Sequence, residues 1–127
     1  MTPLVSVVDD DTSVRRSLDR QLRSVRLEAR LFASAEEFLN SDHSRKADCL
    51  ILDVRLPGMS GIELHHHLLA RGCKVPAIFI TAHGSDDSAR LEAASDWTVA
   101  YLIKPIGDEL LDAVDLALKW KPVDKDR

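Results

Sequence analysis

The sequence predicts an α/β domain in which a five-stranded parallel sheet carries helices on both faces. Short apolar runs alternate along the chain with segments whose apolar residues recur at helical spacing, in a (βα)5 order. Several runs are apolar without alternation, which is typical of strands that are covered on both faces. The 127 residues are about one domain in length and far too few for a (βα)8 barrel. These observations favour an open, doubly wound sheet.

The strands are predicted from short runs that are rich in β-branched and other apolar residues. The run at 49–52 is apolar throughout, which indicates a strand that is buried on both faces. The predicted strands cover residues 4–8, 27–32, 49–52, 77–80 and 99–103.

A helix is predicted after each strand. Ser13 is expected to cap the first helix, and Ser34 with Glu37 three residues later fits a capping box for the second. The third helix is expected to end at Gly72, a residue type that takes the C′ position easily. The helices are predicted around Val14, Leu18, Leu22 and Val25, from Ser34 onward, over 61–71, over 85–95, and around Leu110, Leu111, Val114 and Leu118.

The composition is that of a globular domain, with 45% apolar residues, 30% charged residues and a net charge of −4. A mildly acidic domain is a poor basis for direct binding to nucleic acid. Cys49 and Cys73 form no CxxC pair, so the sequence indicates neither a zinc site nor a redox dithiol. No apolar stretch approaches the roughly 18 residues of a membrane span. We therefore expect a cytoplasmic protein that binds neither nucleic acid nor a membrane.

Polar side chains stand at the carboxyl ends of the predicted strands, where ligands bind in open α/β sheets. These residues are Asp9, Asp10 and Asp11 after the first strand, Asp53 after the third, Thr81 after the fourth, and Lys104 with Pro105 after the fifth. Clustered carboxylates repel one another unless a cation joins them, and Mg²⁺ accepts carboxylates while it shares its other positions with water and phosphate. An amine and a hydroxyl nearby would complete a phosphate-sized site, in which a carboxylate can attack a phosphoryl group.

Four stretches of sequence carry a resemblance to a known family. They are VVDD at 7–10, LDVRLPGMSG at 52–61, ITAHG at 80–84 and YLIKP at 101–105. As a set they resemble the receiver domain of bacterial response regulators, the CheY-like superfamily, and SAEEFL at 34–39 is similar to the FixJ type. The resemblance covers residues 3–120. It implies a flavodoxin-like fold with strand order 2-1-3-4-5 and a receiver domain over 1–121. Pro122, where a helix must already have stopped, indicates a solvated tail over 122–127.

The resemblance also implies a role for each residue at the strand ends. Asp53 would take a phosphoryl group from the phosphohistidine of a sensor histidine kinase. Mg²⁺ would be held by Asp9, Asp10, Asp53 and the backbone carbonyl of Arg55. Contacts to the phosphoryl group and the switch would come from Lys104 before a cis Pro105, from Thr81 beside the small Ala82, and from the aromatic Tyr101.

Phosphorylation adds roughly −1.5 to −2 charges and new acceptor oxygens, which Thr81 and Lys104 can satisfy only by moving. The resemblance therefore implies signalling through the face made by the fourth helix, the fifth strand and the fifth helix. Its target would be an output domain or a partner protein. A homodimer that forms on phosphorylation is a further possibility that the sequence does not decide. The kinase, the output and the lifetime of the phosphoryl group are not specified by the sequence.

Two other functions compete with signalling by phosphorylation. A phosphohydrolase of the haloacid-dehalogenase type also uses an aspartyl nucleophile, but it requires the motif Asp-x-Asp. Here Asp53 is followed by Val54 and Arg55, so the second acid is missing. A pseudo-receiver that acts only as a docking surface usually lacks the acid pair, the acceptor or the lysine, and all of these are present here. We therefore predict a signalling domain rather than an enzyme.

Several residues depart from the family pattern or invite another interpretation. Trp97 stands where the family usually has Gly, and Ala100 stands where Asp is frequent. We expect either that Asp96 takes a left-handed conformation there or that the fourth helix ends differently. Trp97 is open to two interpretations, as an anchor for a partner or as packing over the fifth strand, and Trp120 is expected in packing or an interface. The run His65, His66 and His67 is predicted to be a solvated helix face with one ring partly buried, because consecutive helical residues point about 100° apart.

Overall fold

The sheet holds five parallel strands in the order β2-β1-β3-β4-β5, as the resemblance implied. The computed structural model describes residues 2–42, 46–82 and 87–122. The strands are β1 (Leu4–Val8), β2 (Glu28–Phe32), β3 (Cys49–Asp53), β4 (Ala77–Thr81) and β5 (Thr98–Ile103). Every residue of β3 and β4 is buried, whereas β5 at the edge of the sheet is only partly buried. The central strands are thus covered on both faces, as their unbroken apolar runs predicted.

Helices follow each strand and cover both faces of the sheet. They are α1 (Thr12–Ser24), α2 (Ala35–Leu39), α3 (Gly61–Ala70), α4 (Asp87–Ala93) and α5 (Glu109–Leu118). Helices α2, α3 and α4 pack on one face around Phe38, Leu64 and Phe79, and helices α1 and α5 pack on the other around Leu18, Ile78 and Val114. The predicted start of the fourth helix at Ser85 lies outside the described residues.

The ends of the helices differ in detail from the prediction. The cap of α1 is Asp11 rather than Ser13, because the Asp11 carboxylate accepts hydrogen bonds from the backbone N–H groups of Ser13 and Val14. Ser34 Oγ accepts from the Glu37 N–H at 3.0 Å. The Glu37 carboxylate, however, accepts from the Ala33 N–H at 3.2 Å instead of from the Ser34 N–H. The box at Ser34 is therefore only half formed.

The helix after β3 has the complete arrangement, which was not predicted from the sequence. Ser60 accepts from the Glu63 N–H at 3.1 Å, and Glu63 accepts from the Ser60 N–H at 3.1 Å. At the other end of α3, Gly72 takes φ +79° just after the Arg71 cap, as predicted.

The fourth helix ends without a left-handed residue. Among the described residues, neither Asp96 nor Trp97 has a positive φ, so the expectation for Asp96 is wrong and the alternative, a different helix end, holds. Hydroxyl groups close the end instead: Thr98 Oγ1 donates to the Ala93 carbonyl at 2.5 Å, and Ser95 Oγ accepts from the Trp97 N–H at 3.1 Å. Polar side chains therefore satisfy the helix terminus in place of a glycine.

One histidine of the 65–67 run belongs to the core, which corrects the prediction that the run is a solvated helix face, whereas His67 is partly buried. The His65 ring is fully buried, Nε2 lies 2.9 Å from the Val75 carbonyl oxygen, and the ring meets Phe79 edge-on with centroids 5.7 Å apart. His66 is exposed, as expected for a solvated face. The sequence did not predict this burial, because histidine is found in protein cores less often than leucine.

Both cysteines are free thiols. Cys49 is fully buried in β3, and burial, followed by the charge of Asp48, raises the pKa of its thiol to about 12. It is therefore a small core residue, as predicted.

Candidate functional site

The residues singled out at the strand ends meet at one edge of the sheet. Asp9 follows β1, Asp53 ends β3, Thr81 ends β4 and Lys104 follows β5. Their strands lie side by side in the sheet, and the backbone N–H of Lys104 donates to the Thr81 carbonyl at 2.8 Å. The topology therefore brings together side chains that are far apart in the sequence, as expected for the carboxyl edge of a parallel sheet.

Lys104 joins the two buried carboxylates of this edge. Its Nζ lies 3.0 Å from Asp9 Oδ2 and 3.1 Å from Asp53 Oδ2. Burial by itself would lower the pKa of the Lys104 ammonium, but hydrogen bonds to Asp9 and Asp53 outweigh burial, and the pKa is raised. The amine is therefore held in its charged form, next to the position where a phosphoryl oxygen would need a cation.

Each oxygen of the Asp53 carboxylate accepts a hydrogen bond, one from Lys104 and one from the backbone. Its Oδ2 accepts from Lys104, and its Oδ1 accepts from the Arg55 N–H at 3.0 Å. Burial, together with the negative charge of Asp9, still raises the pKa of the Asp53 carboxyl above its ordinary value. A buried carboxylate that is short of positive charge is suited to a further cation.

Three carboxylates form a cluster that could hold that cation. Oxygen atoms of Asp9, Asp10 and Asp53 all lie within 4.8 Å of one another. Asp9 and Asp53 are buried while Asp10 is exposed, so the cluster is open to solvent on one side. A set of oxygen donors with access to water fits Mg²⁺, which keeps several of its waters.

The remaining predicted site residues lie around this cluster. Thr81 is buried, Ala82 and Arg55 are exposed, and the peptide bond between Lys104 and Pro105 is cis. Tyr101 is partly buried in β5, in register with Phe79 of β4. The guanidinium of Arg90 in α4 stacks on the Tyr101 ring, 4.9 Å from its centroid. The aromatic residue of the fifth strand is thus in direct contact with the fourth helix.

Sequence reasoning missed three residues that position the site. The Arg15 guanidinium donates to the Asp9 backbone carbonyl at 2.6 Å. Glu36 of α2 accepts from the Met59 N–H at 3.0 Å and so holds the loop after Asp53. Gly61 lets the start of α3 pass so close to β3 that a Cβ there would lie 2.1 Å from the Asp53 carbonyl oxygen. Gly61 was part of the LDVRLPGMSG stretch and Glu36 of the SAEEFL stretch, but no role was predicted for either residue or for Arg15.

The family comparison agrees with this geometry. Residues 5–115 match the family model described as response regulator receiver domain. Nodulation protein W of Bradyrhizobium diazoefficiens is 47% identical over 112 residues, which are 87% of this chain and 49% of that protein. The crystal structure of FixJ-N matches with a TM-score of 0.82 and 31% identity, covering 98% of this chain and 99% of that one.

A further structure is similar to this chain and was solved with ligands. It is the response regulator protein TrrA from Thermotoga maritima in complex with Mg²⁺ and BeF, at 30% identity and a TM-score of 0.76, covering 92% of this chain and 100% of that one. The chain belongs to the response-regulator receiver family, and its function is phosphoacceptor signalling. Its relatives are signalling receivers, which decides against the phosphohydrolase alternative.

The chain spans about half the length of the curated relatives it matches. Response regulators work with histidine kinases and output domains, and receivers of this family bind Mg²⁺ at an acidic pocket like the one formed here by aspartates. Among the helices of the described residues, none has the length and apolar character that crossing a membrane requires.

Proposed function

We propose that Asp53 is the phosphoacceptor of this receiver and that the phosphoryl group comes from the phosphohistidine of a sensor histidine kinase. The observation that supports this most directly is the Asp53 carboxylate itself, buried at the end of the central strand with Lys104 at 3.1 Å and two more carboxylates beside it. Burying an ionised carboxylate is costly even when it is paired, so its presence here supports a chemical role.

In the proposed reaction, an Asp53 carboxylate oxygen forms the new bond to phosphorus as the bond from phosphorus to the imidazole nitrogen breaks. The electron pair of the broken bond stays on the imidazole. The side chains of Asp9 and Asp10, together with Asp53 and the backbone carbonyl of Arg55, would hold Mg²⁺, which supplies charge neutralisation on the phosphoryl oxygens when bound. Lys104 would leave its bridge between Asp9 and Asp53 and contact a phosphoryl oxygen.

The switch follows from the hydrogen bonds that the new group requires. Thr81 would move its hydroxyl onto the phosphoryl group, into space that the small side chain of Ala82 leaves open. Tyr101 would turn as Thr81 moves. Because Tyr101 already contacts Arg90 of α4, its movement would reach the face formed by α4, β5 and α5.

The partners follow the same logic. We propose that the α4-β5-α5 face controls an output domain or a partner protein, and that a homodimer formed on phosphorylation is one such partner. An apolar cavity of about 430 Å³ opens beside Lys104, between α1 and the chain that follows β5, and it is lined by Val14, Leu18, Pro105 and Ile106. This cavity offers apolar surface for contact with a phosphodonor next to the acceptor.

Intact mass spectrometry after incubation with a small phosphodonor and Mg²⁺ tests the assignment. We expect one phosphate adduct on the unchanged chain and on Asp48→Ala, and none on Asp53→Ala. Asp48 is the matched control because it is an aspartate outside the site, before β3, where its carboxylate accepts from the Leu4 N–H. No adduct on the unchanged chain, or an equal adduct on Asp53→Ala, would contradict the proposal. Omission of Mg²⁺ is expected to slow the reaction strongly.

A further inference from the structure

Trp120 ties the segment after α5 to the loop between α4 and β5. Its indole Nε1 donates a hydrogen bond of 2.8 Å to the backbone carbonyl oxygen of Asp96. Trp120 is partly buried and follows the end of α5 at Leu118. The contact therefore joins the segment after α5 to the loop between α4 and β5, on the face that would carry the switch.

The Asp96 carbonyl is carried by the end of α4. Thr98 Oγ1 donates to the Ala93 carbonyl at 2.5 Å, Ser95 Oγ lies 3.0 Å from Thr98 Oγ1, and the Thr98 N–H donates to the Ser95 carbonyl at 3.2 Å. These bonds make the last turn of α4 and the following loop one unit. A displacement of α4 must then displace the carbonyl that accepts from Trp120.

Helix α4 is lightly attached to the rest of the domain. Of its seven described residues only Ala93 is buried, and the Leu91 side chain is 76% exposed. An element with few buried contacts has a low local stability and shifts at small cost. Its contact with the interior includes the Arg90 stack on Tyr101. The helix is therefore coupled to the residue that the proposed switch turns.

We propose that Trp120 is a latch, which holds the chain after α5 against the α4–β5 loop in the unphosphorylated protein and lets go when Asp53 is phosphorylated. The proposal rests on the proposed function of Asp53. A hydrogen bond of 2.8 Å weakens steeply when its distance or angle changes, so a shift of α4 by about 1 Å relative to Trp120 is enough to break it. In a longer regulator, whatever follows residue 122 would gain freedom at that moment.

Reciprocity gives the latch a quantitative test. If activation breaks the bond, removal of the bond must favour the activated form by the same factor. Beryllofluoride with Mg²⁺ serves as the phosphoryl mimic, and ¹⁹F NMR measures the bound fraction. We expect Trp120→Phe, which keeps an aromatic ring and loses the N–H, to half-saturate at about two- to tenfold lower beryllofluoride than the unchanged chain, the factor that one net hydrogen bond corresponds to.

Lys119→Met is the matched control, because it removes only a neighbouring exposed ion pair with Asp115, and it should leave the half-saturating concentration unchanged. A tether with a purely structural role would lower the stability of Trp120→Phe without moving this concentration. Unchanged or weaker binding of beryllofluoride by Trp120→Phe would therefore overturn the latch.

Fluorescence supplies a second readout, because the chain contains only two tryptophans. In Trp97→Phe the signal comes from Trp120 alone, and acrylamide quenching should increase when Mg²⁺ and beryllofluoride bind. The same variant with Asp53→Asn added should show no increase. Bound beryllofluoride with unchanged quenching overturns the latch alone. Absence of both beryllofluoride binding and a phosphate adduct overturns the proposed function. The latch is then overturned as well, because it depends on phosphorylation of Asp53.

Discussion

The substitution Gly61→Ala tests whether the junction of β3 and α3 sets the position of the phosphoacceptor. The added Cβ would lie 2.1 Å from the Asp53 carbonyl oxygen, 3.0 Å from its carbonyl carbon and 3.2 Å from the Leu52 Cβ. An ordinary contact between carbon and a carbonyl oxygen is about 3.3 Å, so strand and helix must separate by about 1 Å. The strand cannot yield cheaply, because β3 is paired on both sides and the Val54 N–H donates to the Ile80 carbonyl at 2.9 Å.

Two consequences follow for Gly61→Ala. Overpacking of this kind lowers the free energy of unfolding by about 1–3 kcal/mol. The displacement also moves Asp53 relative to Lys104, and a misplacement of about 1 Å at a reacting group reduces rates by up to about 100-fold. We expect the rate of phosphorylation by a small phosphodonor, followed by intact mass, to fall at least about tenfold.

Gly72→Ala separates the effect on the site from the effect on stability. Gly72 has φ +79°, and no atom lies within 4 Å of the position that a Cβ would take, so alanine there strains only the backbone, by about 1–2 kcal/mol. The two variants should lose similar amounts of stability in urea unfolding. Only Gly61→Ala should lose phosphorylation rate when both are assayed well below their Tm. Equal rates in the two variants would refute the idea that Gly61 positions Asp53.

Three further predictions concern stability. Arg26 takes φ +63° after α1, so Arg26→Gly should raise the free energy of unfolding by about 0.5–1 kcal/mol, and a lower urea midpoint would contradict this. Burial lowers the pKa of His65 from 6.5, so the contribution of neutral His65 to the free energy of unfolding is fully present above pH 6.5. As pH falls below 6.5, the free energy of unfolding decreases by up to about 1.4 kcal/mol per pH unit. His65→Gln should flatten that slope in urea titrations, whereas the exposed His66→Gln should keep it. Because the pKa of Asp53 is raised in the folded protein, the free energy of unfolding falls as pH rises from 3.8 through that pKa. Without Mg²⁺, Asp53→Asn should therefore have a higher Tm at pH 7 than the unchanged chain. Added Mg²⁺ should reduce this difference in Tm.

Much of the fold could be predicted because the central strands leave a plain signal. The runs at 49–52 and 77–80 are apolar without interruption, and the structure buries every residue of β3 and β4. The helix ends were harder, because several residue types can satisfy the same N–H group. At α1 the prediction was Ser13, but the cap is the Asp11 carboxylate, a residue type that serves the position equally well.

Residues whose role depends on a distant backbone could not be found from the sequence. The Glu36 carboxylate accepts from the Met59 N–H, which lies far along the chain. His65 has the polarity of a surface residue, and only the tertiary structure provides the Val75 carbonyl that makes its burial tolerable. Trp120 likewise has its acceptor at Asp96, on the far side of β5 in the sequence. In each case the partner is a backbone atom, which every residue has and which no sequence pattern can mark.

The site itself stood out for the opposite reason. Asp9 and Asp53 are buried beside each other, and this arrangement raises the pKa of Asp53 although Lys104 lies between them. Residues that oppose local stability are expected where a protein gives up stability for function, and clustered acids after apolar strands are such residues in the sequence as well. The conflict between charge and burial therefore has two effects. It makes this edge of the sheet recognisable from the amino-acid sequence alone, and it leaves the carboxylates short of positive charge until a cation and a phosphoryl group arrive.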